Sequence, residues 1–210
     1  MTNFAVNIGR SFGSGGHEVG KLLAAELNWN FYDDELIKMA AIKSGFSEEL
    51  FKANDEKRSL ITTRVFDYFP GTSGTVNVNN TPAVMSEEYL FKINSDVMKK
   101  LSEESNSVFI GRCADYILRD SAKCINVFCY APKNFRIKNV VERLGVDESK
   151  ADKLISKGDR SRALYYSKFT DKKWCAAESY HLMIDTSILG IKGTVEFLKV
   201  YVEERIMTHR

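Results

Sequence analysis

No apolar run in this sequence approaches the roughly 20 residues that a membrane-crossing helix needs, so no membrane partner is expected. Charge of one sign is lacking as well. Thirty Lys and Arg stand against 28 Asp and Glu, a net charge of +2, which excludes a dedicated nucleic-acid binder. The four cysteines (Cys113, Cys124, Cys129 and Cys175) form neither a C-x-x-C pair nor a zinc spacing, and reduced cysteines of a cytoplasmic protein are expected. Three histidines, at 17, 181 and 209, are too scattered for a metal site, and His181, just ahead of an apolar run, is assigned no chemistry. The opening residues carry neither a basic segment nor a long apolar one, so no signal peptide is expected.

What is present suits one substantial α/β domain with a small lid: 210 residues, 44% hydrophobic and 28% charged. Residues 4–8, 30–32, 107–111, 124–130 and 181–185 read as strands, the last two apolar enough to be covered on both faces. Helical periodicity places Val19, Leu22, Leu23 and Leu27 together within 16–28. It does the same for Ile191, Val195, Leu198, Val202 and Ile206 within 190–206. Strand and helix in alternation predict a doubly wound parallel sheet. Residues 44–104 show helical pieces and a Gly-, Pro- and Asn-rich loop (70–82), which reads as an inserted substrate-side segment. The stretch 157–173 reads as irregular and rich in basic residues.

The most informative stretch is 4–21, an apolar strand, then Gly13-Ser14-Gly15-Gly16, then an amphipathic helix. Glycines let the backbone curl around an oxyanion, and a helix N-terminus offers it free N–H groups. The alternative is a tight strand-to-helix turn with no ligand. A full phosphate-binding loop also needs a lysine and a hydroxyl. Here Gly16 falls at the lysine position and His17 at the hydroxyl position, while Arg10 occupies the place of the first glycine. Lys21 lies some 7.5 Å along the helix and on another face, as expected of a solvated surface residue. Arg10 at the strand end, with Arg160 and Arg162 arriving from a lid, can supply the missing positive charge, because arginine grips phosphate with two parallel hydrogen bonds.

The run from Arg10 through Lys21, followed by Leu27-Asn-Trp-Asn-Phe-Tyr-Asp-Asp-Glu-Leu-Ile37, resembles the opening of the cytidylate kinase-like family. Ser107 to Leu118, Val127 to Pro132 with Arg136, Gly158 to Tyr166 and Tyr180 to Leu189 extend the resemblance in colinear order, with 55–85 the least matched. It implies a P-loop NTPase-like fold, a three-layer α/β/α sandwich on a five-stranded parallel sheet. It further implies a single domain over 1–210, with 44–104 as an insert on the acceptor side and 150–178 as a lid-like segment. The implied reaction moves the ATP γ-phosphoryl group to CMP or dCMP with Mg²⁺.

Residue by residue, the resemblance implies that Gly13, Ser14, Gly15, Gly16 and His17 bind the nucleotide phosphates and that Arg10, Arg160 and Arg162 are catalytic. Asp33, Arg112, Asp115 and Arg136 fall to the acceptor. Alternatives stand beside several of these: Asp33 as a helix N-cap, Arg136 as a surface residue, Arg160 and Arg162 as a solvated basic helix. True CMP kinases carry an acid just before Gly-Arg, where this chain has Ile110, which leaves Asp115 or Asp33 to hold a metal-bound water. Three functions remain open: a CMP or dCMP kinase, a non-catalytic nucleotide-binding regulator, and a kinase for another small acceptor.

Overall fold

The computed structural model describes residues 3–43, 87–121 and 123–208. The expected loop 70–82 and most of the proposed insert lie outside them. Five strands, β1 (Ala5–Arg10), β2 (Asn30–Tyr32), β3 (Ser107–Ile110), β4 (Cys124–Tyr130) and β5 (Leu182–Asp185), form one parallel sheet in the order β2-β3-β1-β4-β5. This is the expected α/β architecture. Residues 9 and 10 extend the first strand beyond its expected end, because Gly9 and Arg10 stay in register with Phe128 and Cys129.

Alternation along each strand sorts the core into two layers. Val6, Ile8, Val108, Ile110, Ile125, Val127 and Cys129 face helices α1 (Gly16–Leu27) and α7 (Thr186–Met207). Ala5, Phe109 and Cys124 face the opposite layer, built from α2 (Asp34–Lys43), α3 (Glu87–Glu104), α4 (Ala114–Ile117) and α6 (Glu148–Thr170). Each fully buried aliphatic side chain contributes about 1.5–3 kcal/mol. Within α1, Val19 and Leu23 are buried as expected, but Leu22 is 39% exposed. It lies one residue, about 100°, from Leu23 and so turns off the buried stripe. In α7 the expected apolar face is buried at Val195, Leu198 and Val202, and the helix begins at Thr186 with a kink at Gly190.

Residues 157–170, expected to be irregular, belong instead to the 23-residue helix α6. Its buried stripe (Ala151, Ile155, Gly158, Tyr166, Thr170) has helical spacing, but Gly158 and the surrounding charges hide it. Gly158 is small for a packing reason: a Cβ there would come within 2.6 Å of the Phe12 ring. Phe12, only 1% exposed, also packs on Val140 of α5 (Lys133–Leu144) and on Ala151 and Ile155 of α6. The glycine loop is thereby fastened to the α5–α6 pair.

The order of the sheet fixes where a ligand can sit. After β1 the chain leaves toward β2, and after β3 it leaves toward β4, so α1 and α4 cover opposite faces. The crevice at the C-terminal ends of β1 and β3 is this switch point. Arg10 and Arg112 stand on its two sides.

Candidate functional site

Between β1 and α1 the loop turns every carbonyl into the protein. Arg162 Nη1 donates to the Arg10 carbonyl at 3.0 Å, and the Ser14 hydroxyl to that of Ser11 at 2.9 Å. Arg136 Nη1 reaches the Phe12 carbonyl at 3.2 Å, and Asn139 Nδ2 that of Gly13 at 3.0 Å. The Thr186 hydroxyl donates to the Ser14 carbonyl at 2.6 Å, and Val19 N–H to that of Gly15 at 3.0 Å. The donors are left over. The N–H groups of Gly13, Gly15, His17 and Glu18 have no partner among the described residues, and no side chain caps α1. Gly15, at φ 80°, precedes the helix in the left-handed region, and a Cβ there would run into Ile191. Unpaired N–H groups and the positive end of the helix dipole lie together at this turn, an arrangement able to attract an anion.

Beside it lies an arginine cluster. The end of the Arg10 guanidinium rests where a Cβ on Gly111 would be. Burial, then the neighbouring charge of Arg112, pull the Arg10 pKa down to about 10. Arg162 lies over the Phe12 ring at 5.3 Å, and burial and the charge of Arg10 also hold it well below the ordinary arginine value. Arg112 differs. Burial opposes its charge, but Asp34 outweighs that and raises its pKa: Arg112 Nε and Asp34 Oδ1 are 2.5 Å apart. Its guanidinium also sits 5.1 Å from the centre of the Tyr165 ring.

The backbone that presents Arg112 is unusual. Gly111, Arg112 and Cys113 have φ of 68°, 53° and 59°, three successive left-handed residues. Two of them carry a Cβ, so the turn is strained and the surrounding contacts hold it. Burial pushes the Cys113 thiol up to about 12, so it is not a nucleophile at neutral pH. The cleft lined by Arg10, Asp34, Arg112, Arg162 and Tyr165 encloses about 50 Å³. That is the scale of a few waters, room for one phosphate group at the bottom of an open cleft.

The other expected residues divide. His17 Nε2 and Asp33 Oδ2 are 3.1 Å apart, and Asp33 Oδ1 accepts Leu36 N–H at 3.1 Å, so Asp33 caps α2 and also faces the loop. The His17 hydrogen bond, with lesser help from Leu36, holds the Asp33 carboxyl below the usual carboxylate value. Asp115 lines the cleft and accepts the Tyr166 hydroxyl at 2.6 Å, and burial pushes its pKa up. Arg136 sits behind the loop, paired with Asp159 at 2.6 Å. Arg160 is exposed on α6, two residues and so about 200° from Arg162. The structure therefore brings Arg10, Arg112 and Arg162 together at the loop and leaves Arg160 outside.

Asp34, Asn139, Asp159 and Tyr165 enter the site without having been expected. The helical stripe through Ile155, Gly158 and Arg162 was the available signal for the α6 residues. Among the described residues no three His, Cys, Asp or Glu side chains gather into a metal site. Mg²⁺ needs less: one or two carboxylates plus phosphate and water suffice. An ionised Asp33 beside the loop fits that requirement.

No curated protein matches the sequence. An uncharacterized protein from Eubacterium ventriosum ATCC 27560 shares 26% identity at a TM-score of 0.70, over 96% of this chain and 99% of its own. A gluconokinase from Sinorhizobium meliloti 1021 (10% identity, TM-score 0.53, 99% and 98% covered) shares the fold. So does a shikimate kinase from Bacteroides thetaiotaomicron (13%, 0.52, 95% and 98%). The sequence profile of the cytidylate kinase-like family matches residues 5–188, and the chain belongs to that family.

Proposed function

We propose that this protein is a cytoplasmic kinase that transfers the ATP γ-phosphoryl group to CMP, dCMP or a similar small acceptor. One observation carries the reading: the loop at residues 10–15 gives all its carbonyls to the protein and keeps free N–H groups at an uncapped helix end. Phosphoryl transfer asks mainly for positioning and for neutral surroundings around a crowded negative charge. The loop from Gly13 to His17 holds the donor phosphates. Arg10 and Arg162 bring positive charge beside them without a lysine. Arg112, fixed by Asp34 and Tyr165, faces the acceptor phosphate across the crevice. Asp33 is the carboxylate that would hold Mg²⁺, which supplies further charge neutralisation on the nucleotide when bound.

The loop's missing lysine and hydroxyl, whose places Gly16 and His17 take, favour a second reading, binding without turnover. A ³¹P NMR time course with MgATP and a panel of nucleoside monophosphates separates the two. Growth of diphosphate signals only with CMP or dCMP supports the kinase. ATP resonances broadened by the protein without turnover favour the binding module or another acceptor. Silence without broadening overturns both.

A further inference from the structure

A second cavity, of about 350 Å³, lies at the start of β4 and β5, away from the glycine loop. It is lined by Arg119 just after α4, Lys172 just after α6 and Arg205 in the last turn of α7. Among the described residues none of these three cations lies within 4.0 Å of a carboxylate. Each has a local reason to be where it is. Arg119 covers the Tyr116 ring at 4.1 Å and gives Nη1 to the Tyr116 carbonyl at 2.7 Å, which leaves its other N–H groups for the hollow, and Lys172 and Arg205 oppose negative helix ends. Those reasons do not account for their meeting around one hollow.

The neutral groups add donors. His181 Nδ1 accepts Asn126 N–H at 2.8 Å, so its neutral ring carries the proton on Nε2 and donates from there. Burial, and then the charge of Arg205, pull its pKa down and keep it neutral. Ser121 and Ser179 supply hydroxyls. Asp115 and Glu178 also line the hollow, and the charge of Lys172 acts on the Asp115 carboxylate, which Tyr166 also bonds, so three cations against two carboxylates leave the lining net positive by one. The volume lies at the small end of ligand sites, and among the described residues Tyr180 is the one benzene-type ring on its walls. Guanidinium forks and hydroxyls with little ring surface suit a phosphoryl group better than a base.

We infer that this cavity is a second anion site, one that takes a phosphoryl group, free or on a small ester, through Arg119, Lys172 and Arg205. Asp115 and Tyr180 line both this cavity and the arginine cleft, so an occupant here adjoins the wall of the main site.

The histidines report on the two sites separately, His17 at the loop and His181 at the second cavity. Their ring ¹H–¹³C resonances, assigned by single substitution, are followed while the protein is titrated with inorganic phosphate and then with ribose 5-phosphate. The His181 resonance is expected to move saturably, and at least tenfold more anion should be needed in the double variant Lys172→Ala/Arg205→Ala. The His17 response should persist in that variant and show that it is folded. Tighter binding of the sugar phosphate identifies an ester as the occupant, and equal binding identifies free phosphate. A His181 resonance that stays still, or that moves equally in the double variant, overturns the inference. The kinase reading is tested by turnover and by His17, so the two fail independently.

Discussion

Arg136 and Asp159 pair at 2.6 Å, and between them they hold both polar groups of the Phe12 residue. Asp159 Oδ1 accepts its N–H at 2.7 Å, and Arg136 Nη1 donates to its carbonyl at 3.2 Å. An ion pair is used here to fix a backbone. Asp159→Ala removes one acceptor and leaves a guanidinium half-buried without its carboxylate. The expected loss is about 2–4 kcal/mol, read from urea unfolding. Asp159→Asn, which can still accept from Phe12, should lose less.

Arg10 carries its charge against both burial and Arg112. A base whose folded pKa is lowered destabilises the fold in its charged form. Arg10→Met is therefore expected to stabilise the free protein by about 1 kcal/mol and to weaken anion binding. Thermal unfolding checks both. Pyrophosphate at a hundredfold excess over its Kd adds about 2.7 kcal/mol to the native protein, a gain the variant should largely lose.

Arg112→Ala should lower kcat/KM for the acceptor by about 100-fold or more while ATP affinity stays within about twofold. Arg112→Lys should not restore it. An ammonium cannot reproduce the planar contact with Tyr165 or the guanidinium fork. Full transfer activity in Arg112→Ala would remove this residue from the acceptor site.

Two aspartates should answer pH in opposite directions. Asp33 has a folded pKa below its ordinary 3.8, so its contribution is present above that value and disappears as pH falls through the folded one. Asp33→Asn should cost roughly 0.5–1.5 kcal/mol at pH 7, and the cost should vanish in acid. Asp115 has a folded pKa above 3.8, so the penalty for ionising it is absent in acid and grows as pH rises through the folded value. Asp115→Asn keeps an acceptor for Tyr166 and should stabilise the protein at pH 7, with the gain fading toward acid. Denaturation midpoints from about pH 2 to pH 7, a span that crosses the region below 3.8, distinguish the two.

The strands were legible because they are short apolar runs bounded by turn residues, and all five lie within one or two residues of their expected limits. The glycine loop was legible for a different reason: only residues free to take positive φ can make its turn. The helix through 157–170 was not, because its inward face is built from Gly158, Arg162 and tyrosines in place of aliphatic residues. That substitution hid the distinction between Arg160 and Arg162, which depends wholly on helical phase. The Arg112–Asp34 pair joins residues 78 positions apart, and no spacing rule reaches across that separation.

The groups that hold the loop's carbonyls have a consequence for how the chain comes into being. β1 pairs with strands that begin at Ser107 and Cys124, and the loop after it waits for Arg136, Asn139, Arg162 and finally Thr186. Contacts so distant in sequence form late, since each must first close a long loop. On the ribosome, β1 and its loop emerge before the residues that complete them, and so are among the last parts of the fold to form. In a series of nascent chains of increasing length, affinity for pyrophosphate should be missing until Thr186 has cleared the exit tunnel.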